Sequence, residues 1–200
     1  MSARKEIRLA CSLAIALTSV SLFASEPAAP QASPRSASAD GQRDFDFEIG
    51  TWKTHVSRRL HPLSGSTEWV ELDGTSVVRK LLDGRANLVE LDIAGPSGRI
   101  TGVSLRLYNA DARQWSLNYS SMGTGMLTAP LFGEFKNGRG EFFGQDTLGA
   151  RTILVRFIIT CATSDSCRFE QSFSSDGGAS WESNWIATDT RIRGEAPVEK

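Results

Sequence analysis

The sequence predicts an all-β domain whose antiparallel strands close into an up-and-down β-barrel of about ten strands. Two observations support this prediction. All 18 glycines lie at or after Gly41, and beyond Asp44 they interrupt the chain about every nine residues. The segments between them are short and rich in Val, Ile, Thr, Phe and Trp. Such spacing is typical of many short strands joined by tight turns.

The predicted strands follow one another without an intervening helix. They are Thr51–Leu60, Thr67–Leu72, Asn87–Ile93, Ile100–Asn109, Gln114–Ser120, Leu131–Lys136, Glu141–Thr147, Thr152–Cys161, Cys167–Ser174 and Trp181–Thr188. Asn137-Gly138 is the strongest hairpin signal between them. The segment Val77–Leu82 has the spacing of one helical turn, but its β-branched residues and the following Asp83-Gly84 argue against a helix.

Sequential strands without crossover helices predict an antiparallel meander. An open sheet of this length would leave two exposed edges, and closure into a barrel removes them. A sandwich of two sheets is the alternative that the pattern leaves open.

The first 24 residues have the pattern of a secretory signal peptide. Arg4, Lys5 and Arg8 precede the apolar segment Leu9–Phe23, and small residues follow at the expected cleavage point. The alternative is a membrane anchor, but a span needs about 20 apolar residues. We therefore expect a periplasmic or secreted protein with no stable membrane span after cleavage.

The chain then divides into three further parts. Residues 25–43 are rich in Pro, Ser and Ala and contain no large apolar side chain, which predicts a disordered linker. The barrel domain is expected at 44–193, followed by a flexible tail at 194–200.

Charge and motif content exclude several classes of function. The 22 basic and 23 acidic side chains give a net charge of −1, so a nucleic-acid partner is not expected. The chain has two histidines and no serine or cysteine in a nucleophile elbow. No metal-ligand spacing is present either, so we expect neither a metal nor a cofactor.

After signal cleavage, Cys161 and Cys167 are the remaining cysteines, and in an exported chain they predict a disulfide. Two buried free thiols are the alternative. The disulfide would place Arg156 opposite Ser172, and Ile158 opposite Glu170. The other face would then carry Phe157, Ile159, Phe169, Gln171 and Phe173, and parity alone leaves open which face lines the lumen.

Small-ligand sites are mostly apolar with a few placed polar groups. On this basis the candidate ligand-binding residues are Glu68, Trp69, Trp115, Asp146, Arg156, Glu170, Gln171 and Trp185. For Arg156 and Glu170 the alternative is a solvated ion pair on the outer surface. For the tryptophans it is ordinary core packing.

The segment Ser174-x-Asp176-x-Gly178-x-Ser180-Trp181 matches the Asp-box pattern of sialidase propellers. One copy cannot make a propeller, so we interpret it as a hairpin turn. Asp176 would accept backbone hydrogen bonds, Gly177 and Gly178 would permit positive φ, and Trp181 would pack across the hairpin.

The opening of the domain, Asp44-Phe45-Asp46-Phe47 followed by Gly50-x-Trp52, resembles the lipocalin-like (calycin) barrels. Further motifs are Arg58-Arg59-Leu60, Gly65-Ser66-Thr67-Glu68-Trp69, Asp146-Thr147-Leu148, Phe169–Ser174 and Asp176–Trp185. Together they resemble a bacterial family of uncharacterised lipocalin-like domains, distantly related to nitrobindin-like and fatty-acid-binding barrels. The resemblance implies that Trp52 plugs one end of the barrel and that Gly50 is structural.

Nitrobindin-like barrels hold haem through a histidine near the C-terminal end of the barrel. This chain has no histidine after His61, and strand alternation places His55 on the face opposite Trp52. Haem binding is therefore not expected.

These observations favour a non-enzymatic, exported barrel that binds a small apolar or amphipathic ligand in its lumen. One alternative is an isomerase- or cyclase-type enzyme, in which Glu68, Asp146 or Glu170 would need a pKa raised by burial. The other is an interaction module of the cell envelope.

Overall fold

The computed structural model describes residues 41–194. The predicted signal peptide lies outside this range, as do the predicted linker before Gly41 and the predicted tail after Gly194. The described residues form one closed barrel in which every strand pairs with its neighbours in sequence and β1 pairs with β10. This confirms the all-β up-and-down barrel and excludes the two-sheet sandwich.

All ten strands are antiparallel to their neighbours. Their bounds are β1 Gly50–Arg59, β2 Trp69–Leu81, β3 Ala86–Gly95, β4 Gly98–Asn109, β5 Gln114–Ser121, β6 Leu131–Lys136, β7 Arg139–Leu148, β8 Arg151–Thr163, β9 Ser166–Ser174 and β10 Glu182–Arg191. Two 3₁₀ turns, Asp46–Glu48 and Leu82–Gly84, complete the regular structure of residues 41–194. Within residues 41–194 no helix has the length and apolar character needed to cross a membrane.

The second strand is much longer than the sequence predicts. β2 continues without a break from Trp69 to Leu81, so residues 73–81, which the sequence does not assign to a strand, belong to it. Gly74 lies inside this strand because β2 and β3 approach closely there: a Cβ atom at Gly74 would lie 2.0 Å from the carbonyl oxygen of Asp92 on β3. The glycine permits two strands to approach closely and does not end one of them.

Two predicted hairpins have the expected register. β6 and β7 are joined by Asn137-Gly138, whose φ angles of 52° and 77° match the turn that this dipeptide favours. On β8 and β9, Arg156 lies opposite Ser172 and Ile158 opposite Glu170, as the predicted pairing requires.

The Cys161–Cys167 disulfide joins two directly paired residues of β8 and β9, whose Cα atoms are 3.9 Å apart. Its loop is tighter than expected, because β8 extends to Thr163 and β9 begins at Ser166. Cys167 is buried and belongs to the core of the barrel.

Aromatic side chains close one end of the barrel. The Phe45 ring packs edge-on against Trp115 and Phe135, with centroid distances of 4.9 Å and 5.0 Å, and it stacks on Phe142 at 5.9 Å. The Trp52 indole N–H donates to the carbonyl oxygen of Glu48 over 2.7 Å. The first 3₁₀ turn is therefore fixed across this end, while the opposite end stays open.

Candidate ligand-binding cavity

The open end of the barrel leads into a cavity of about 690 Å³. Its walls are mostly apolar and come from alternate positions of the strands, since every second side chain points inward. The wall residues include Val56, Val89, Leu117, Val155, Phe157 and Phe169. This assigns the face of β8 and β9 that parity left open: the face carrying Phe157, Phe169 and Gln171 lines the lumen.

The mouth of the cavity is more polar than its walls. Arg58, Tyr119 and Asp146 line it where β1, β5 and β7 reach the open end. Burial raises the pKa of the Tyr119 phenol, with the charge of Arg58 opposing the shift. The loop between β5 and β6 carries exposed Met122 and Met126 beside lining residues 128–129, so the rim has an apolar side.

A buried ion pair lies at the closed end, which forms the floor of the cavity. Glu48 of the first 3₁₀ turn and Arg106 of β4 form a bidentate pair, and each side chain is 5% exposed. The Arg106 guanidinium also lies 4.4 Å from the centroid of Phe45. Both residues contribute to the cavity lining, so the floor presents a neutralised pair of charges.

A second carboxylate, that of Asp189 on β10, shares this floor. Its Oδ1 accepts a hydrogen bond of 2.5 Å from the Thr54 hydroxyl, which lies 2.7 Å from the hydroxyl of Ser76. Asp189 is 6% exposed and lines the cavity. Burial raises its pKa to about 7; the nearby Glu48 charge adds to the shift, while the Thr54 hydrogen bond and Arg106 oppose it.

An amide pair lies on the wall between β9 and β10. The Gln171 Nε2 donates to Asn184 Oδ1 over 2.9 Å, and both residues line the cavity. Asn184 is 4% exposed, and its Nδ2 has no hydrogen-bond partner within the described part of the chain. A β-bulge between Ser183 and Trp185 allows the neighbours Asn184 and Trp185 both to line the cavity.

Asp146, Gln171 and Trp185 are the sequence-predicted site residues that the structure brings to this cavity. Trp115 instead lies in the packed aromatic end and donates to the carbonyl oxygen of Gly41 over 3.0 Å. Trp69 lies beneath the Arg59 guanidinium at 4.8 Å, and Glu68 is exposed on the loop before β2. Glu68, Trp69 and Trp115 are therefore not part of the lining.

Arg156 and Glu170 lie on the outer face of the barrel and form no direct ion pair. Arg156 covers the Trp181 ring at 4.6 Å. Glu170 accepts hydrogen bonds from Ser183 over 2.6 Å and from Arg168 over 3.1 Å. The Ser183 bond is the main reason that the pKa of Glu170 is lowered. A carboxyl group in this position lacks the raised pKa that a lumen acid requires.

Sequence reasoning missed Glu48, Thr54, Arg106 and Asp189, which form the floor. Asp189 could have been found, because it alternates with Trp185 and Ala187 on one strand and therefore shares their face. Arg106 was harder to identify from the sequence. Its neighbours Leu105 and Leu107 would be assigned to the inner face of the strand, which would place Arg106 on the outer face.

The Ser174–Ser180 segment forms the turn between β9 and β10. Asp176 accepts hydrogen bonds from the Ser174 hydroxyl, the Ser180 backbone N–H and the Ser180 hydroxyl over 2.7, 2.9 and 2.6 Å. These bonds lower the pKa of Asp176. Gly177 and Gly178 have positive φ, and Trp181 packs on Phe143 outside the barrel.

His55 lies on the outer surface, as alternation predicts. Its ring nitrogens contact Asp73 at 2.9 Å and Glu71 at 3.1 Å. Among residues 41–194 no three His, Cys, Asp or Glu side chains are grouped to hold a metal ion.

No protein-family model matches the sequence, and no curated protein matches it either. The fold is similar to that of the S-type phycobiliprotein lyase CPES from Guillardia theta, with a TM-score of 0.52 and 14% identity over 81% of this chain and 100% of that chain. The redesigned β-barrel mFAP0, bound to DFHBI, matches with a TM-score of 0.41 and 12% identity over 72% of this chain and 99% of that one. A fluorescence-activating β-barrel designed de novo gives a TM-score of 0.41 and 9% identity over 74% of this chain and 95% of that one. The similarity to the lyase shows that the two chains share a β-barrel fold.

Proposed function

We propose that this chain is an exported barrel that binds a small amphipathic molecule in its lumen. The observation that carries the proposal is the open cavity of about 690 Å³ with apolar walls and a polar floor. Ligand sites in proteins have this size and this mixture of surfaces, whereas ordinary protein interiors are filled by side chains.

The side chains at mid-height explain why the lumen is not filled. Ala187 and Ser104 line the wall where larger residues would cross the space. The large aromatic residues Trp52, Trp115 and Phe142 are fully buried within the aromatic core. This division leaves one end rigid and the other accessible to a molecule from solvent.

Binding in the lumen is tested by filling it. Ala187→Trp projects an indole into the cavity, whereas Thr188→Trp adds the same group on the exposed outer face of the same strand. We expect saturable binding of the neutral fluorophore Nile red by the wild type, at least tenfold weaker binding by Ala187→Trp, and unchanged binding by Thr188→Trp. Thermal unfolding verifies that both variants fold. Absence of saturable Nile red binding, with no co-purifying molecule in native mass spectrometry, would overturn the proposal.

Export is tested separately by expressing the full chain in a bacterial host and fractionating the cells. The mature protein is expected in the periplasm or medium with Ser25 as its first residue, which intact-mass measurement verifies. Retention of the uncleaved chain in the cytoplasm would contradict export without bearing on ligand binding.

A second candidate function, an isomerase- or cyclase-type enzyme, is favoured by Asp189. It is a lumen carboxyl with a pKa raised by burial to about 7, suited to accept and return a proton near neutral pH. A molecule recovered from the lumen, incubated with the protein in D₂O, would then gain carbon-bound deuterium. The wild type is expected to catalyse this exchange and Asp189→Asn to lose it. Equal exchange with both proteins would exclude Asp189 as the proton carrier.

A further inference from the structure

We infer that the floor of the cavity selects ligands with a positively charged amine at their inner end, held by Asp189. This inference rests on the proposed function and names the chemical class of its ligand. The floor contributes two carboxylates, Glu48 and Asp189, and a single guanidinium, that of Arg106.

The guanidinium of Arg106 is already paired with another group of the floor. Both Arg106 Nη atoms bond the Glu48 carboxylate, and each side chain is almost fully buried. The Thr54 hydroxyl donates to Oδ1 of Asp189, and within residues 41–194 no arginine or lysine forms an ion pair with this carboxyl group. A buried carboxylate in this position must either take up a proton or acquire a cation from outside the protein.

The charged groups that act on Asp189 are Glu48 and Arg106, and Arg191, two residues along β10, is held by the Trp52 ring and the carbonyl oxygens of Ile49 and Phe47. Thr54 faces it from β1, with Ser76 of β2 behind, Glu48 comes from the 3₁₀ turn and Arg106 from β4. On β9 the opposite residue is Cys167, which is disulfide-bonded and does not titrate. An ammonium group of a ligand would therefore complete the charge balance of the floor.

The amide of Asn184 points to the rest of the ligand. Its Nδ2 is buried in the cavity wall without a hydrogen-bond partner in the described chain, and it can only donate. Asn184 lies at the β-bulge of β10, five residues before Asp189 and therefore nearer the mouth of the cavity. The lumen thus fits a molecule with an amine at the floor, an apolar middle and a hydrogen-bond acceptor nearer the mouth.

A carboxylate ligand fits the floor less well. Arg106 Nε is also buried without a partner in the described residues and could donate to an anion. However, an anion there would be the third negative group around one guanidinium, beside Glu48 and Asp189. Neighbouring negative charges in a buried site repel one another strongly.

The test compares three octyl compounds that differ only in the head group: octylamine, 1-octanol and octanoate. Each displaces Nile red from the protein at pH 8 and pH 5.5. At pH 8 we expect octylamine to bind at least tenfold more tightly than the other two. At pH 5.5 its affinity should fall at least fivefold, because Asp189 is then protonated, while that of octanol stays constant.

The matched variants are Asp189→Asn, which removes the charge at the floor, and Asp73→Asn, which removes a carboxylate from the outer surface. The preference for octylamine should disappear in the first and persist in the second. If Asp189→Asn does not fold, carboxyl NMR of the wild type decides, since octylamine must lower the pKa of Asp189 on binding.

Octanoate binding as tightly as octylamine, or a preference for octylamine that survives Asp189→Asn, would overturn the inference. Either result leaves lumen binding intact. Failure of all three compounds and of Nile red to bind would instead contradict the proposed function itself.

Discussion

The guanidinium of Arg191 lies over the indole ring of Trp52, 4.0 Å from its centroid. The same side chain donates to the carbonyl oxygens of Ile49, over 2.8 Å, and Phe47. One residue at the end of β10 therefore fixes the first strand and the 3₁₀ turn that closes the barrel. Gly50 leaves room for it, because a Cβ atom there would lie 2.8 Å from Arg191 Nη1.

Arg191→Lys should destabilise the barrel by about 1–3 kcal/mol, because lysine cannot cover the indole ring and reach both carbonyl oxygens at once. Arg193→Lys is the matched control, since Arg193 is highly exposed and pairs with Asp165 at the surface. The control should stay within about 0.5 kcal/mol of the wild type. Urea unfolding measures both, and equal stabilities for the two variants would refute the role of Arg191.

The strands of this barrel follow from local sequence, whereas the cavity floor does not. Turn residues such as Asn137-Gly138 define their hairpins from neighbours alone, so the number and order of the strands could be predicted. The floor depends on contacts between distant positions. Glu48 meets Arg106 across 58 residues, and Thr54 meets Asp189 across 135 residues. A charged residue within a strand is normally assigned to the solvent face, and only the closed barrel reverses that assignment.

The pH dependence of stability should report Asp189 directly. Its pKa in the folded state, about 7, lies above the ordinary value of 3.8, so the folded protein binds the proton more tightly than the unfolded chain. The stabilisation by this group is complete below pH 3.8 and is lost as pH rises to about 7. Over this range the wild type should lose at most about 4 kcal/mol relative to Asp189→Asn. Unfolding of both proteins at pH 4.5 and pH 8 provides the measurement, and a difference that does not change with pH would contradict it.

The effects of substituting Glu48 and Arg106 on the free energy of unfolding should be strongly coupled. Glu48→Gln or Arg106→Met alone leaves one buried charge without its partner, and each should lower stability by about 3–5 kcal/mol. The double variant should lose clearly less than the sum of the two. A double-mutant cycle by chemical denaturation measures this coupling. The exposed pair Arg99–Asp92 serves as the control and should show little coupling.

Removing the disulfide should lower the stability of the barrel without changing its fold. Cys161→Ala with Cys167→Ala is preferable to the serine pair, because Cys167 is buried and a serine hydroxyl there would lack a partner. The short loop predicts a loss of about 2 kcal/mol, with the fold and Nile red binding retained. Mass measurement with and without reductant first establishes the bond in the purified wild type. Two free thiols in the oxidised sample would remove the basis of the prediction.

Gly74→Ala should strongly destabilise the barrel. Gly74 pairs with both Thr54 of β1 and Ile93 of β3, and an added methyl group would meet the Asp92 carbonyl oxygen at 2.0 Å. Because the obstacle is backbone in a closed barrel, the strands must separate, and we expect a loss of about 3 kcal/mol or more. Gly123→Ala places the same methyl group where no atom lies within 4 Å, so it should stay within about 0.5 kcal/mol of the wild type. Thermal and urea unfolding compare the two variants. Equal, small effects would mean that β2 and β3 are not held as closely as the structure has them.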